Sequence, residues 1–150
     1  MSLLRLASSL SAWRGYEYFK QKHVLAFNSL SSTEIEGKLK GSGDRPYEVF
    51  IDIGHPRKSK CNCPHADGKR IICKHMIALL FSAFPEEAET YYNELLMYEE
   101  EEKKYREELE RKVMNYIRKL KKEELQSLVH EFLFDGPEWQ YDRFVRRYIE

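Results

Sequence analysis

Four residues of the kinds that bind transition metals lie within a stretch of 15 positions. Cys61, Cys63, Cys73 and His75 read Cys-x-Cys, nine residues, then Cys-x-His. Zinc takes four such ligands in a tetrahedron, with thiolate sulfurs at about 2.3 Å and imidazole nitrogens at about 2.0 Å. Three cysteines are an odd number, which excludes a complete disulfide framework, and their clustering favours a metal over bridges. The sequence therefore predicts one structural zinc held by these four side chains.

The spacing of the ligands also constrains the backbone that carries them. Cys61 and Cys63 reach one ion only if the chain curls around it as a knuckle. Residues two apart in a regular helix face different sides, so Cys73 and His75 converge only if the regular helix begins at or after Cys73. The apolar run that follows predicts a short, mostly buried helix reaching residue 81.

Other histidines compete for the fourth ligand position. His65 and His55 lie in the same loop, which runs from residue 54 to 70 and shows no periodicity. An exposed loop histidine is the alternative interpretation for His65. His23 and His130 lie in strand and helix patterns, and no metal role is expected for them.

The elements that position the ligands follow from hydrophobic periodicity. Apolar residues between 3 and 13 recur at helical spacing and predict one amphipathic helix over the first 14 residues. From residue 16 to 53 the pattern alternates and predicts three strands, near 24–28, 33–40 and 47–53. The cluster Gly41–Pro46 predicts a looped hairpin before the third strand, so we expect an antiparallel sheet. Residues 1–84 are thus predicted to form an α+β domain.

Residues 85–150 are predicted to form a helical extension. Pro85 followed by two glutamates is a helix-start pattern. Further helices are expected from about 122 to 134 and, after the break at Asp135-Gly136-Pro137, from 138 to 149. The first of these helices has an apolar seam that could pair with itself or with a partner, although folding back on 122–134 in a hairpin or small bundle explains it equally well. The seam consists of Leu95, Tyr98, Tyr105, Leu109, Val113, Tyr116 and Leu120.

Composition excludes several classes of protein. The longest apolar run has six residues, Met76 to Phe81, whereas crossing a bilayer takes about 20. Clustered cysteines without a disulfide framework indicate a reducing, intracellular setting, cytoplasmic or, in a eukaryote, nuclear. No enzyme is expected, because four ligands close the zinc site and a catalytic zinc keeps a position open.

Several segments together resemble a SWIM zinc finger over roughly residues 13–84. They are Arg14-Gly15-Tyr16, the strand patterns, Tyr47-Glu48-Val49, Cys61-x-Cys63-Pro64, and Cys73-x-His75 with its apolar helix. The resemblance implies Cys61, Cys63, Cys73 and His75 as ligands. It also implies DNA binding or protein–protein interaction, in complexes with partners such as SWI/SNF-type ATPases or recombinase paralogues. The segments Lys122–Leu125 and Asp135–Glu138 are similar to the helical extension that follows many SWIM domains.

The distribution of charge is compatible with an anionic partner for the first half of the chain, although it also permits the two halves to attract each other. The net charge is zero, but residues 1–84 carry 13 Lys and Arg against 7 Asp and Glu, and residues 85–150 carry 12 against 18. Six basic residues surround the zinc ligands, and only Asp67 opposes them between residues 57 and 75, so we expect DNA, single- or double-stranded, to bind around the zinc with weak sequence specificity. Tyr47 and Phe50 are candidate stacking residues. The candidate nucleic-acid contacts are Arg57, Lys58, Lys60, Lys69, Arg70 and Lys74. A protein partner is the alternative, because aromatic residues, which are enriched at interfaces, concentrate in the second half.

Overall fold

A computed structural model describes residues 3–41 and 45–150. The helices are α1 (Leu3–Leu6), α2 (Ser9–Lys20), α3 (Lys74–Ala83), α4 (Pro85–Lys119), α5 (Lys122–Phe134) and α6 (Glu138–Tyr148). The strands are β1 (Val24–Ser29), β2 (Glu34–Leu39), β3 (Tyr47–Asp52) and β4 (Lys60–Cys61), and a 3₁₀ turn spans Pro56–Lys58. The α+β class predicted from the sequence is confirmed.

The four strands form one antiparallel sheet in the order β1-β2-β3-β4. The sequence predicted three strands and missed β4, because two residues are too short to show an alternation. β4 matters because it places Cys61 opposite Val49 of β3. Residues 42–44 of the predicted hairpin loop lie outside the described residues.

The N-terminal segment forms two helices, so the prediction of one helix over the first 14 residues was wrong. The helical conformation is interrupted at Ala7, which pairs with Ile72 in an isolated parallel bridge. Ser8 then caps α2, its Oγ accepting a hydrogen bond from the Ser11 amide at 3.2 Å. α2 continues to Lys20, past the point where strand periodicity was expected to begin. Residues 1 and 2 of the predicted helix lie outside the described residues.

Helix α3 occupies the centre of the first compact unit. It packs on the sheet on one side and on α2 on the other, which explains why every residue from His75 to Phe81 is buried. Side chains that alternate along β2 and β3 form the facing side of the sheet: Ile35, Leu39, Val49 and Ile51. Between Ile35 and Leu39 stands Gly37, where a Cβ would lie 2.7 Å from Leu79 Cδ1, so the absence of a side chain lets α3 approach β2 closely.

The compact units divide after Leu96, within α4. The sequence placed the boundary at 84/85, where α3 ends. The first turns of α4 belong to the first unit, because Tyr91 packs against Phe81 with ring centroids 5.5 Å apart and Tyr92 stacks on Tyr16 at 5.2 Å. The interior of this unit therefore extends about two turns into α4.

The second unit, Met97–Glu150, contains the rest of α4 with α5 and α6. Helices α5 and α6 pack on each other, with the Phe134 and Tyr141 rings 5.4 Å apart. All of residues 97–150 are described, and none of their side chains is fully buried. No helix among the described residues has the length and hydropathy that a membrane span requires.

Close packing of α2 on α3 yields a test of this fold. A Cβ at Gly15 would lie 2.5 Å from Ile77 Cβ and 2.9 Å from the Lys74 carbonyl oxygen. We expect Gly15→Ala to lower the free energy of unfolding by about 1–3 kcal/mol, because one of the helices must move. Lys20→Ala, at the exposed end of the same helix, is the control and should stay within about 0.5 kcal/mol of wild type. Urea titrations of the zinc-loaded proteins measure both changes; equal stability of the two variants would contradict the close contact.

Candidate metal centre

The four predicted ligands come from two elements that meet at one edge of the sheet. Cys61 ends β4, and Cys63 opens a turn in which its carbonyl oxygen accepts hydrogen bonds from the Ala66 and Asp67 amides. Cys73 is the N-cap of α3, and His75 is the second residue of that helix. The regular helix thus begins at Lys74, immediately after Cys73, as the spacing predicted.

The backbone at Cys73 allows the last two ligands to converge. Its φ of −93° and ψ of 167° are extended rather than helical, so Cys73 and His75 are not related by the 200° rotation of two helical residues. The Cys73 carbonyl oxygen still accepts the first helical hydrogen bonds, from Met76 at 3.1 Å and Ile77 at 3.3 Å. The N-cap position therefore both starts the helix and turns its thiol toward the histidine.

The ligand atoms lie close together, as the four ligands of one zinc ion must. The three sulfurs and one imidazole nitrogen all lie within 4.8 Å of one another. His75 Nδ1 is 3.8 Å from the sulfurs of both Cys61 and Cys73. A tetrahedron with bonds of about 2.0–2.3 Å has edges of roughly 3.5–3.8 Å. All four side chains are buried, with 1–4% of their surface exposed, and the cysteines form no disulfide.

The electrostatics of the thiols fit a cation. A hydrogen bond with the Cys61 thiol lowers the pKa of Cys73 to about 4, and the same interaction, with burial, raises the pKa of Cys61. The low pKa of Cys73 favours its thiolate form, and a bound zinc ion stabilises the thiolate form of each cysteine ligand. Donor types, distances and burial support a single structural zinc.

Residues around the ligands hold the knuckle in place, and sequence reasoning missed most of them. Asn62 Oδ1 accepts a hydrogen bond from the Glu48 amide at 2.9 Å, and the Asn62 amide donates to the Glu48 carbonyl oxygen at 3.3 Å. The middle residue of Cys-x-Cys therefore extends the pairing of β3 with β4. Tyr47 packs on the ligand ring, with centroids 4.7 Å apart. The only sequence feature that could have indicated these contacts was the amide side chain of Asn62, between the two cysteines.

A second set of hydrogen bonds closes the segment before β4. The enclosed Asp52 carboxylate accepts a hydrogen bond from the His55 amide at 2.8 Å and lies 3.3 Å from His55 Nδ1. The Asp52 amide donates to Ser59 Oγ at 3.0 Å. The hydrogen bond from the His55 amide lowers the pKa of Asp52, so this carboxyl is ionised at neutral pH. The zinc is thus not alone in ordering the long loop.

The competing histidines lie away from the ligand cluster. His55 is held by Asp52, and His65 is exposed in the turn after Cys63. His23 packs edge-on against Tyr18, and His130 stacks on Phe134. Among the described residues, the only group that could hold a metal ion is the Cys₃His set.

Four of the six predicted nucleic-acid contacts lie around one groove. The groove has a volume of about 860 Å³ and runs between the outer face of the sheet and the segment from residue 57 to 70. Arg57, Lys60, Lys69 and Arg70 line it. It also contains Lys38, which sequence reasoning missed, because only the register of β2 against β3 brings this residue there.

The other two predicted contacts lie outside this groove. Lys58 is exposed on the 3₁₀ turn. Lys74 is partly buried, and its Nζ donates to the Tyr18 hydroxyl at 2.7 Å and lies 4.0 Å from that ring. The two candidate stacking residues also separate: Phe50 lines the groove, whereas Tyr47 packs on His75.

The zinc site is tested by replacing His75 and, as the control, His65 with alanine. We expect one zinc per chain in wild type and in His65→Ala, and loss of zinc from His75→Ala. Removing a direct ligand should reduce affinity by more than the about 100-fold that an outer-shell partner can cost. Native mass spectrometry gives the stoichiometry, and a competing chelator gives the affinity. Retention of zinc by His75→Ala together with its loss from His65→Ala would assign the fourth ligand to the loop instead.

The comparison with protein families agrees with this geometry. Residues 47–84 match the SWIM zinc finger family. No curated protein and no solved structure gives a significant match. The matched segment runs from β3 through the knuckle to the end of α3 and contains all four ligands. Residues 47–84 are therefore similar to a SWIM zinc finger, the family that the ligand spacing and the flanking strand pattern indicated.

Proposed function

We propose that this protein is a non-enzymatic adaptor that binds DNA along the groove beside its zinc finger. The observation that carries the proposal is the concentration of exposed cations there: Lys38, Arg57, Lys60, Lys69 and Arg70 all line one groove. Phosphate contacts by Lys and Arg supply most of the sequence-independent affinity for nucleic acids. The groove is also large enough to hold a segment of the sugar–phosphate backbone of DNA.

A structural role for the zinc supports the absence of catalysis. Four protein ligands complete the coordination that zinc prefers, and a catalytic zinc needs a position for water or substrate. The ligands are buried, so a substrate would have no direct route to the ion. The zinc finger instead fixes the wall of the groove, because Cys61 and Cys63 lie between the lining residues Lys60 and Ala66.

The other residues of the groove set the kind of recognition. Glu36, Glu48 and Asp67 also line it, so phosphates are expected near the basic segment 57–70 rather than along the whole floor. Phe50 offers a ring on which a base can stack without regard to its identity. Among the described residues that line the groove, none belongs to an α-helix, so no row of helical side chains is placed there to read base edges. We therefore propose weak sequence specificity on single- or double-stranded DNA.

Charge reversal at two neighbouring lysines tests this proposal. Lys60 lines the groove and Lys58 does not, although both are exposed and only two residues apart. We expect Lys60→Glu to weaken DNA binding about tenfold and Lys58→Glu to change it less than about threefold. Fluorescence anisotropy with labelled single- and double-stranded DNA measures both. If all five groove cations contact phosphates, the log–log salt slope should be about −3.5 for single strands and about −4.5 for duplex.

Two outcomes would contradict the proposal. Equal effects of the two reversals would place DNA elsewhere on the surface. No binding of either DNA form at low salt would exclude DNA binding by this chain. Zinc content measured on each variant distinguishes these results from a damaged finger.

A protein partner is the second candidate function, and a different observation favours it. The second unit exposes many aromatic side chains, among them Phe132, Phe134 and Trp139, each about 60% exposed. Such side chains are enriched in the cores of protein interfaces. The resemblance to SWIM proteins supplies the candidate partner classes, a recombinase paralogue or a SWI/SNF-type ATPase. Failure of DNA binding with intact zinc would favour this role.

A further inference from the structure

Helix α4 carries an apolar seam that the second unit leaves uncovered. Tyr98, Tyr105, Leu109, Val113 and Tyr116 are each 48–70% exposed although α5 and α6 are both present. The intramolecular bundle that could have buried this seam is therefore not formed along α4. A contiguous exposed apolar stripe of this kind marks an interaction surface.

The spacing of the seam is symmetric about its centre. Between Tyr98 and Leu120, with Glu102 counted and Leu95 left outside this stretch, the seam positions are 98, 102, 105, 109, 113, 116 and 120, so the intervals read 4, 3, 4 on each side of Leu109. This is an 11-residue repeat, or 3.67 residues per turn, which keeps a stripe on one face of a nearly straight helix. In an antiparallel pair with its two-fold axis at Leu109, each seam position of one chain meets a seam position of the other. Tyr105 faces Val113, Tyr98 faces Leu120, and Leu109 faces itself.

The charges beside the seam match the same arrangement. One flank of the seam is formed by residues that immediately precede a seam residue, at positions 101, 108, 112 and 119. Antiparallel pairing brings Glu101 of one copy to Lys119 of the other, and Glu108 to Lys112. Positions 99, 106, 110 and 117 form the other flank; there Arg106 meets Glu110, and Glu99 meets Ile117. Three of the four flanking pairs thus have opposite charges and none has like charges. Flanking charges of this type select partner and orientation in paired helices.

A parallel pair lacks this complementarity. In register, it would place Glu102 of one chain against Glu102 of the other within the seam, and the acidic run Glu99–Glu102 beside its copy. Like charges so placed destabilise the pair. Antiparallel pairing instead puts Glu102 opposite Tyr116, whose hydroxyl can donate to the carboxylate. In the single chain this carboxylate already accepts from the Tyr98 hydroxyl at 3.4 Å.

We propose that two copies of this chain pair antiparallel along residues 98–119 of α4 and Leu120 directly after it, around a two-fold axis at Leu109. The contact is isologous, so it closes as a dimer and leaves no seam for a third copy. Its length is about 35 Å, comparable to the three or more heptads that stable paired helices need. This inference does not depend on DNA binding, since its residues lie outside the zinc finger.

Sedimentation of the full zinc-loaded chain tests the pairing. We expect a dimer at about 100 μM and at least a 100-fold loss of dimer affinity in Leu109→Glu, where two carboxylates meet on the axis. Met114→Glu is the control, since Met114 is 46% exposed but lies on the opposite face of α4; it should stay a dimer. Circular dichroism and zinc content confirm that each variant is folded. A monomeric wild type, or equal effects of the two substitutions, would overturn the proposal.

A charge exchange tests the orientation. Glu101 and Lys119 are 18 residues apart, or about 27 Å along one helix, so they cannot interact within a chain or in a parallel pair. Glu101→Lys and Lys119→Glu should each weaken the dimer about tenfold, because each creates two like-charge pairs. The double variant should recover wild-type affinity within about threefold. A double variant weaker than either single variant would exclude the antiparallel arrangement.

Discussion

Convergence of four side chains on one ion is the constraint on which the first compact unit depends. Cys61 and Cys63 belong to the edge of the sheet, whereas Cys73 and His75 belong to the start of α3. A zinc ion that binds all four joins these two elements at a single point. Since α3 lies between the sheet and α2, the position of its first turn also decides where α2 packs. The metal therefore acts on the whole unit through one helix.

Hydrogen bonds from the chain itself complete what the metal begins. Asp52 and Ser59 close the segment before β4, and Asn62 continues the pairing of β3 beyond it. Together these contacts hold the segment from residue 57 to 70 against the outer face of the sheet, and the groove is the space between them. The groove proposed to bind DNA is thus built partly from the segment that carries the ligands Cys61 and Cys63.

The two units differ in how they use apolar residues. In the first unit apolar side chains from α2, α3, the sheet and the first turns of α4 are enclosed in one core. In the second unit none is fully buried, although Tyr, Phe, Trp and Leu are plentiful. Burial of apolar surface is the main favourable term in folding and association, so this unit retains a large capacity to stabilise contacts with other chains. The seam on α4, which we propose pairs with a second copy, forms part of that exposed surface.

The sequence alone predicted the metal site, because ligand chemistry fixes residue types and close spacing fixes their neighbourhood, but only the structure separated His75 from the competing His65 and His55. Cys61, Cys63, Cys73 and His75 were identified without coordinates, and the start of α3 followed from the impossibility of bringing positions 73 and 75 together in a regular helix. The α+β class and the approximate strands followed from periodicity, which reflects one buried face. Periodicity did not predict the interruption of the N-terminal helix at Ala7 or the two-residue strand β4, because both arise from pairing with distant residues, Ile72 and Val49.

Tertiary structure alone decided which charges share a surface. Lys38 joins the groove, and Lys74 is withdrawn to Tyr18, because strand register and helix packing act over separations in sequence that no local pattern records. The same is true of the seam on α4. The sequence gives the spacing of its residues, but only the structure shows that the chain's own helices leave the seam exposed. A sequence predicts a ligand cluster because its residues are near neighbours along the chain. It does not predict a surface, because a surface is formed by distant segments that only folding brings together.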